Sequence, residues 1–131
     1  MWGTVMNSLK SGIAVSFIYV TERDRALRFY TELLGFKLRQ SDDFGDFIES
    51  GGGLLRMTVI PDHVARPHPV LGWDVPDIVA VASELRGRGV MLTMYEGLGQ
   101  DQLGIWTSPD GKAKVAWFAD PDGNVLSLSQ T

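Results

Sequence analysis

A chain of 131 residues that is 44% apolar, 21% charged and 10% aromatic falls in the single-domain range and can build one packed core, which excludes a disordered or fibrous protein. It has no cysteine, so disulfides, thiolate nucleophiles and thiolate metal sites are excluded and a reducing, cytoplasmic setting is expected. A formal net charge of −4 and a pI near 5.0 leave no polybasic surface for a phosphate backbone, so nucleic acid is not an expected partner.

Residues 1–10 contain Trp2, Val5, Met6 and Leu9 but not the basic leader, unbroken apolar run and cleavage site of a signal peptide, and none is expected there. No run approaches the roughly 20 apolar residues that cross a bilayer, so no membrane partner is expected either. Residues 13–20, Ile-Ala-Val-Ser-Phe-Ile-Tyr-Val, read as a first strand with both faces covered. Thr21 is the predicted cap of a helix whose Ala26, Phe29, Tyr30, Leu33 and Leu34 recur at helical spacing, with Glu22 and Asp24 near its positive end. Gly35 stops it as a left-handed residue. Strands are predicted over residues 36–41, 46–50 and 54–60, separated by Asp42, Asp43 and Gly45 and by the glycines at 51–53.

Residues 61–69 hold three prolines and both histidines, His63 and His68, and read as a linker. A strand over 70–75 follows, then a helix opened by Pro76 with Ile78, Val81, Ala82 and Leu85 as its buried stripe, ended by Gly87 and Gly89. Further strands are predicted over 90–95, 103–107 and 114–118, the last two as a hairpin turned at Ser108-Pro109-Asp110-Gly111. Asp120-Pro121-Asp122-Gly123-Asn124 turns into a final strand over 125–129. Placing Val20 on Val75 superimposes the two strand-to-helix junctions, so the order of elements repeats after about 55 residues. The expected domain is a single unit over residues 1–131, with module one at 12–61, a linker at 62–69 and module two at 70–130.

Two strings carry a family resemblance. Ala26-Leu27-Arg28-Phe29-Tyr30-Thr31-Glu32-Leu33-Leu34-Gly35-Phe36 and Asp120-Pro121-Asp122-Gly123-Asn124 resemble the helix and the final turn of the glyoxalase, bleomycin-resistance and extradiol-dioxygenase superfamily, the vicinal oxygen chelate proteins. The likeness runs over residues 13–129. It implies an α+β fold of two βαβββ modules whose strands form a curved mixed-sheet cup, and a homodimer. In metal-dependent members one ligand stands on each of four inward-facing strands. By that resemblance the corresponding positions here are Val15, Val70 and Ser127, with Arg56 at or beside the fourth, and none of these is a good ligand for a divalent ion. No metal and no cofactor is therefore expected. His63 and His68 stand five apart in a proline-rich linker, a spacing that suits solvated loop residues better than a shared site.

Strand alternation places Val15, Phe17 and Tyr19, Arg56 and Thr58, and Ser127 and Ser129 toward the cup, with Leu55, Met57 and Val59 toward the helix. Tyr95, Gln100, Trp106 and Trp117 are expected at its mouth. The candidate ligand-binding residues are Phe17, Tyr19, Arg56, Thr58, Tyr95, Gln100, Trp106, Trp117 and Ser127. Aromatic rings stack on planar ligands and Arg56 can pair with an anionic group; alternatively the rings fill a core or dimer seam and Arg56 pairs with Glu49 or Asp46. Without cysteine, a Gly-x-Ser-x-Gly elbow or a structured histidine beside a serine, no catalytic residue is assigned. The function expected is metal-independent binding of a small aromatic or anionic molecule, with drug or metabolite sequestration as its role. The alternatives are a lyase, isomerase or dioxygenase with displaced ligands, and a module whose sheet face serves a protein partner.

Overall fold

The computed structural model describes residues 3, 4, 6 and 8–131; Trp2 and Val5 of the N-terminal stretch lie outside them. A 3-10 turn at Leu9–Ser11 precedes β1 (Val15–Val20) and α1 (Arg23–Arg28). Then come β2 (Lys37–Asp42), β3 (Gly45–Ser50), β4 (Gly53–Val59), β5 (Pro69–Asp74), α2 (Ile78–Gly87), β6 (Trp106–Thr107), β7 (Lys114–Ala119) and β8 (Val125–Gln130). The strands form two sheets of identical plan, β1-β4-β3-β2 and β5-β8-β7-β6. In each, the first strand runs parallel to the last, and the other pairs are antiparallel. The duplicated βαβββ order, and with it the α+β fold of two mixed sheets, is as the sequence predicts.

The local departures have physical causes. Thr21 does not cap α1; its backbone amide and hydroxyl both donate to the Asp122 carboxylate, and Glu22 stands at the N-cap without a side-chain capping bond, its carboxylate facing Arg25. The helix continues as a π turn over Phe29–Leu33, with both Phe29 and Tyr30 buried, and ends at Gly35 with φ 83°. Pro76 does not open α2. Asp77 caps it by accepting from the Ala80 amide at 3.1 Å.

The strand predicted over 90–95 is irregular, and that over 103–107 contracts to the two residues of β6. Gln100 explains both. Its side-chain oxygen accepts from the Tyr95 amide at 2.7 Å, and its side-chain nitrogen donates to the carbonyls of Thr93 at 2.8 Å and Gly104 at 2.7 Å. Asp101 likewise accepts from the amides of Leu103 and Ile105. Side chains thus take the backbone groups that a ladder would use, leaving one bond from the Thr93 amide to the Trp117 carbonyl at 2.7 Å.

Alternation sorts each sheet into two sides. Ile18 and Val20 of β1, Leu55 and Met57 of β4, Ala116 and Phe118 of β7, and Leu126 and Leu128 of β8 point to the helices, and one buried cluster runs through both modules. A buried polar clasp joins the modules beside it. Asp120, 5% exposed, accepts from the Tyr30 hydroxyl at 2.8 Å, the Asn124 side-chain amide at 2.8 Å and the backbone amides of Asp122 and Asn124. The Asn124 amide also donates to the Tyr19 carbonyl at 2.9 Å, and its oxygen meets His63 Nε2 at 2.8 Å. Because the Asn124 nitrogen is donating, its oxygen must accept, so His63 carries its proton on Nε2. Farther along the seam, Trp73 donates to the Ser50 hydroxyl at 2.6 Å and stacks on Phe36 with centroids 5.3 Å apart.

Burial first, and the Asp120 charge second, hold the Tyr30 phenol far above its ordinary pKa, which favours the protonated hydroxyl that donates to Asp120. Tyr30→Phe removes a hydrogen bond to a buried carboxylate. It is expected to destabilise the fold by about 1.5–3 kcal/mol, measured by urea denaturation, with Asp120→Asn in the Tyr30→Phe background losing less than in the parent.

Candidate functional site

The side of each sheet opposite the helices is open. Phe17 is 62% exposed and Tyr19 46%, so β1 is covered on one side only, contrary to the expectation from its apolar run. Strand register assembles transverse rows on this open side. Gln40 pairs with Phe47, Phe47 with Arg56, and Arg56 with Phe17. The next row is Asp42, Gly45, Thr58 and Tyr19. The predicted residues Phe17, Tyr19, Arg56 and Thr58 therefore form one contiguous patch.

Arg56 is clamped at the centre of that patch. Its guanidinium carbon lies 4.6 Å from the Phe47 ring centroid, within cation–π range. Its Nη2 donates to Asp42 at 2.8 Å, and Nη1 is buried without a hydrogen-bond partner among the described residues. Neither Glu49 nor Asp46 is its partner. Asp46 sits on the helix side, in an ion pair with Arg23 at 3.0 Å. The Arg56 hydrogen bond, followed by that from the Phe44 amide, draws the Asp42 carboxyl from 3.8 down to about 2.

On the second sheet Trp117 pairs with Ser127, and Ser127 with Gly72. Tyr95 meets Trp117 edge to face at 5.4 Å. Trp106, half-buried, stands one row away opposite Val115, and Ser129 bonds to Asp74 at 2.9 Å. Gln100, predicted at the mouth, has both ends of its amide bonded to the backbone of its own loop and of Thr93. The inner edge strands β1 and β5 lie next to one another. Phe47 and Asp42 also contact Arg56 in this patch and are absent from the predicted set; cross-strand register from β4 into β3 points to Phe47, whereas Asp42 reaches Arg56 from the adjacent row.

The donor set does not suit a divalent cation. Val15 and Val70 are apolar and exposed, Arg56 is a paired cation and Ser127 a hydroxyl. Among the described residues no three His, Cys, Asp or Glu side chains converge. His63 belongs to the seam and His68 is exposed in the linker. Among the described residues no helix is long and apolar enough to cross a membrane.

The model of the Glyoxalase/Bleomycin resistance protein/Dioxygenase superfamily matches residues 12–128. No curated protein matches the chain. Among solved structures, a glyoxalase family protein from Enterococcus faecalis is similar with a TM-score of 0.70 at 21% identity, covering 91% of this chain and 97% of that one. A superfamily member from Sphaerobacter thermophilus has a TM-score of 0.67 at 23% identity, over 92% and 98%. The fosfomycin resistance protein FosX from Listeria monocytogenes has a TM-score of 0.70 at 11% identity, over 92% and 93%. These identities speak for the fold alone. With the family model spanning both modules and the duplicated sheet plan agreeing with it, the chain belongs to the glyoxalase/bleomycin resistance protein/dioxygenase superfamily.

Proposed function

We propose that this chain is a small-molecule-binding protein of the glyoxalase/bleomycin-resistance type that works without a metal ion, sequestering a drug or metabolite in a reducing, cytoplasmic setting. The observation that carries the proposal is the row Gln40, Phe47, Arg56, Phe17. At or beside the strand position where, by the family resemblance, a metal-dependent member carries a carboxylate, this chain has an arginine stacked on one phenyl ring and flanked across the strands by another. Its charge repels a divalent cation, and its pairing with Asp42 holds it as part of a flat platform. Large aromatic side chains left open on a sheet face mark a binding surface, because nothing in the fold rewards their exposure. Phe17, Tyr19, Trp106 and Trp117 supply stacking area, while Thr58 and Ser127 supply hydroxyls for orientation. The same open sides of the two sheets favour a homodimer, in which a second copy helps cover them.

Anilinonaphthalene sulfonate, an aromatic anion, is expected to quench tryptophan fluorescence on binding this face. Its affinity is expected to be unchanged by a chelator and to drop about threefold to tenfold in Phe17→Ala or Trp117→Ala. A stoichiometric transition metal, whose removal abolishes a turnover reaction, would instead establish an enzyme. Sedimentation is expected at twice the 14.4 kDa chain mass. The Asp42 carboxyl is expected to titrate by NMR near 2 and to move back toward 3.8 in Arg56→Gln. Because the folded value lies below the unfolded one, the stabilisation from the pair is full above pH 4 and is lost as pH falls toward 2.

A further inference from the structure

Arg56 is poorly placed to receive an anion. Its side chain is only 12% exposed and already shares its charge with Asp42, so a ligand carboxylate would have to displace an internal partner. The charge-bearing handle of the open face lies two strands away. Between Leu38 and Gln40 the β2–β3 register slips by one residue: Leu38 pairs with Ile48 and Gln40 with the adjacent Phe47. Arg39 is the extra residue of this β-bulge. A strand without the bulge would alternate its side chains between the two faces; here Leu38 faces the buried Ile48, and both Arg39 and Gln40 turn to the open side. There they meet Phe47 and Leu54 around a depression of 230 Å³. Arg39 is exposed and makes no ion pair or hydrogen bond among the described residues.

We propose that this bulge builds the acid-recognition subsite of the binding face, and that the ligand is an aromatic monocarboxylate. Arg39 pairs with the carboxylate, the Gln40 amide donates a second hydrogen bond, and the ring lies over Leu54 against Phe47. The inference rests on the small-molecule-binding proposal and names its ligand class. The volume is below the roughly 300–1,000 Å³ of sites for drug-sized molecules, which suits one ring and its acid group, with the remainder of a larger ligand extending along the row toward Phe17. A single unpaired arginine and one amide match a planar monoanion. A phosphate dianion carries one charge more than this face offsets, because Lys37 stands directly opposite Glu49 in the row of Leu54 and balances it, which leaves the Arg39 charge alone.

The test uses benzoate, benzamide and phenyl phosphate as probes against the full chain, with amide chemical shifts as the readout. Benzoate is expected to bind more tightly than benzamide and to shift Arg39, Gln40, Phe47 and Leu54. Arg39→Gln, an exposed substitution, is expected to reduce benzoate affinity about tenfold, the loss of one charge-assisted pair, while leaving benzamide unchanged. Leu54→Trp fills the depression and is expected to abolish both. Equal affinity for benzoate in Arg39→Gln, or preference for phenyl phosphate, overturns the subsite. If anilinonaphthalene sulfonate still binds near Phe17 and Trp117 in that case, only the subsite has failed; if it too leaves the open face unshifted, the binding function has failed with it.

Discussion

The buried carboxylate of Asp120 is the constraint on which the rest of the molecule depends. A carboxylate removed from water must have its lone pairs filled by donors, and a partial set is costlier than an apolar replacement. Here the donors come from Tyr30 in the first module and from the turn of the second. The fold can satisfy Asp120 only when the modules are docked in one way. Asn124 then carries the restraint onto β1 through the Tyr19 carbonyl, one residue from the strand's end. The aromatic face of β1 is thus positioned against the second module by a polar network, while the apolar cluster on its other side supplies most of the free energy.

The two arginines of the open face stand in opposite electrostatic settings. A guanidinium held between a phenyl ring and a carboxylate is rigid, flat and electrically quiet, which suits it to be a surface on which something lies. A guanidinium on a bulge is free to reorient and retains its full charge toward solvent. Asp42 decides which arginine has which part: it fixes the inner one and leaves the outer one unpaired. The π turn of the first helix and the bulge of β2 are both single-residue insertions into regular ladders, and both change where a side chain points, one toward the core and one toward solvent.

What the sequence made legible follows from which interactions are local. A continuous β-branched and aromatic run identifies β1, and alternation along β4 correctly sets Leu55 and Met57 toward the helix; Gly35 and the Ser108 to Gly111 turn are readable because positive φ demands glycine. The segment 90–105 was not readable. Its β-branched and aromatic composition favours a strand, and only the tertiary position of Gln100 shows that its backbone groups are already taken. Arg56 is legible but its partner is not: of the two carboxylates on the adjacent strand, Asp46 lies on the helix side and Glu49 one row away opposite Leu54, whereas Asp42 reaches in from the strand beyond. The bulge at Arg39 has no signature in composition, since it exists only as a mismatch between two strands. The turn at Asp120 to Asn124 was recognised as a turn, yet its larger role as the clasp between modules required knowing that Tyr30 ends up beside it.

Duplication explains how such a face could arise. Equivalent strands pair in the same plan in both sheets, so Phe17 corresponds to Gly72, Arg56 to Ser127 and Phe47 to Trp117. A symmetric pair of modules with a carboxylate or imidazole at each inner position would converge on one ion. With an arginine on one side and a serine on the other, the two inner positions are not equivalent. The first sheet then presents cations and phenyl rings. The second presents an indole and a hydroxyl, with the Ser127 side chain occupying the space that a side chain at Gly72 would need. Two unlike walls can contact unlike parts of one molecule, whereas two copies of the same wall offer every part the same surface.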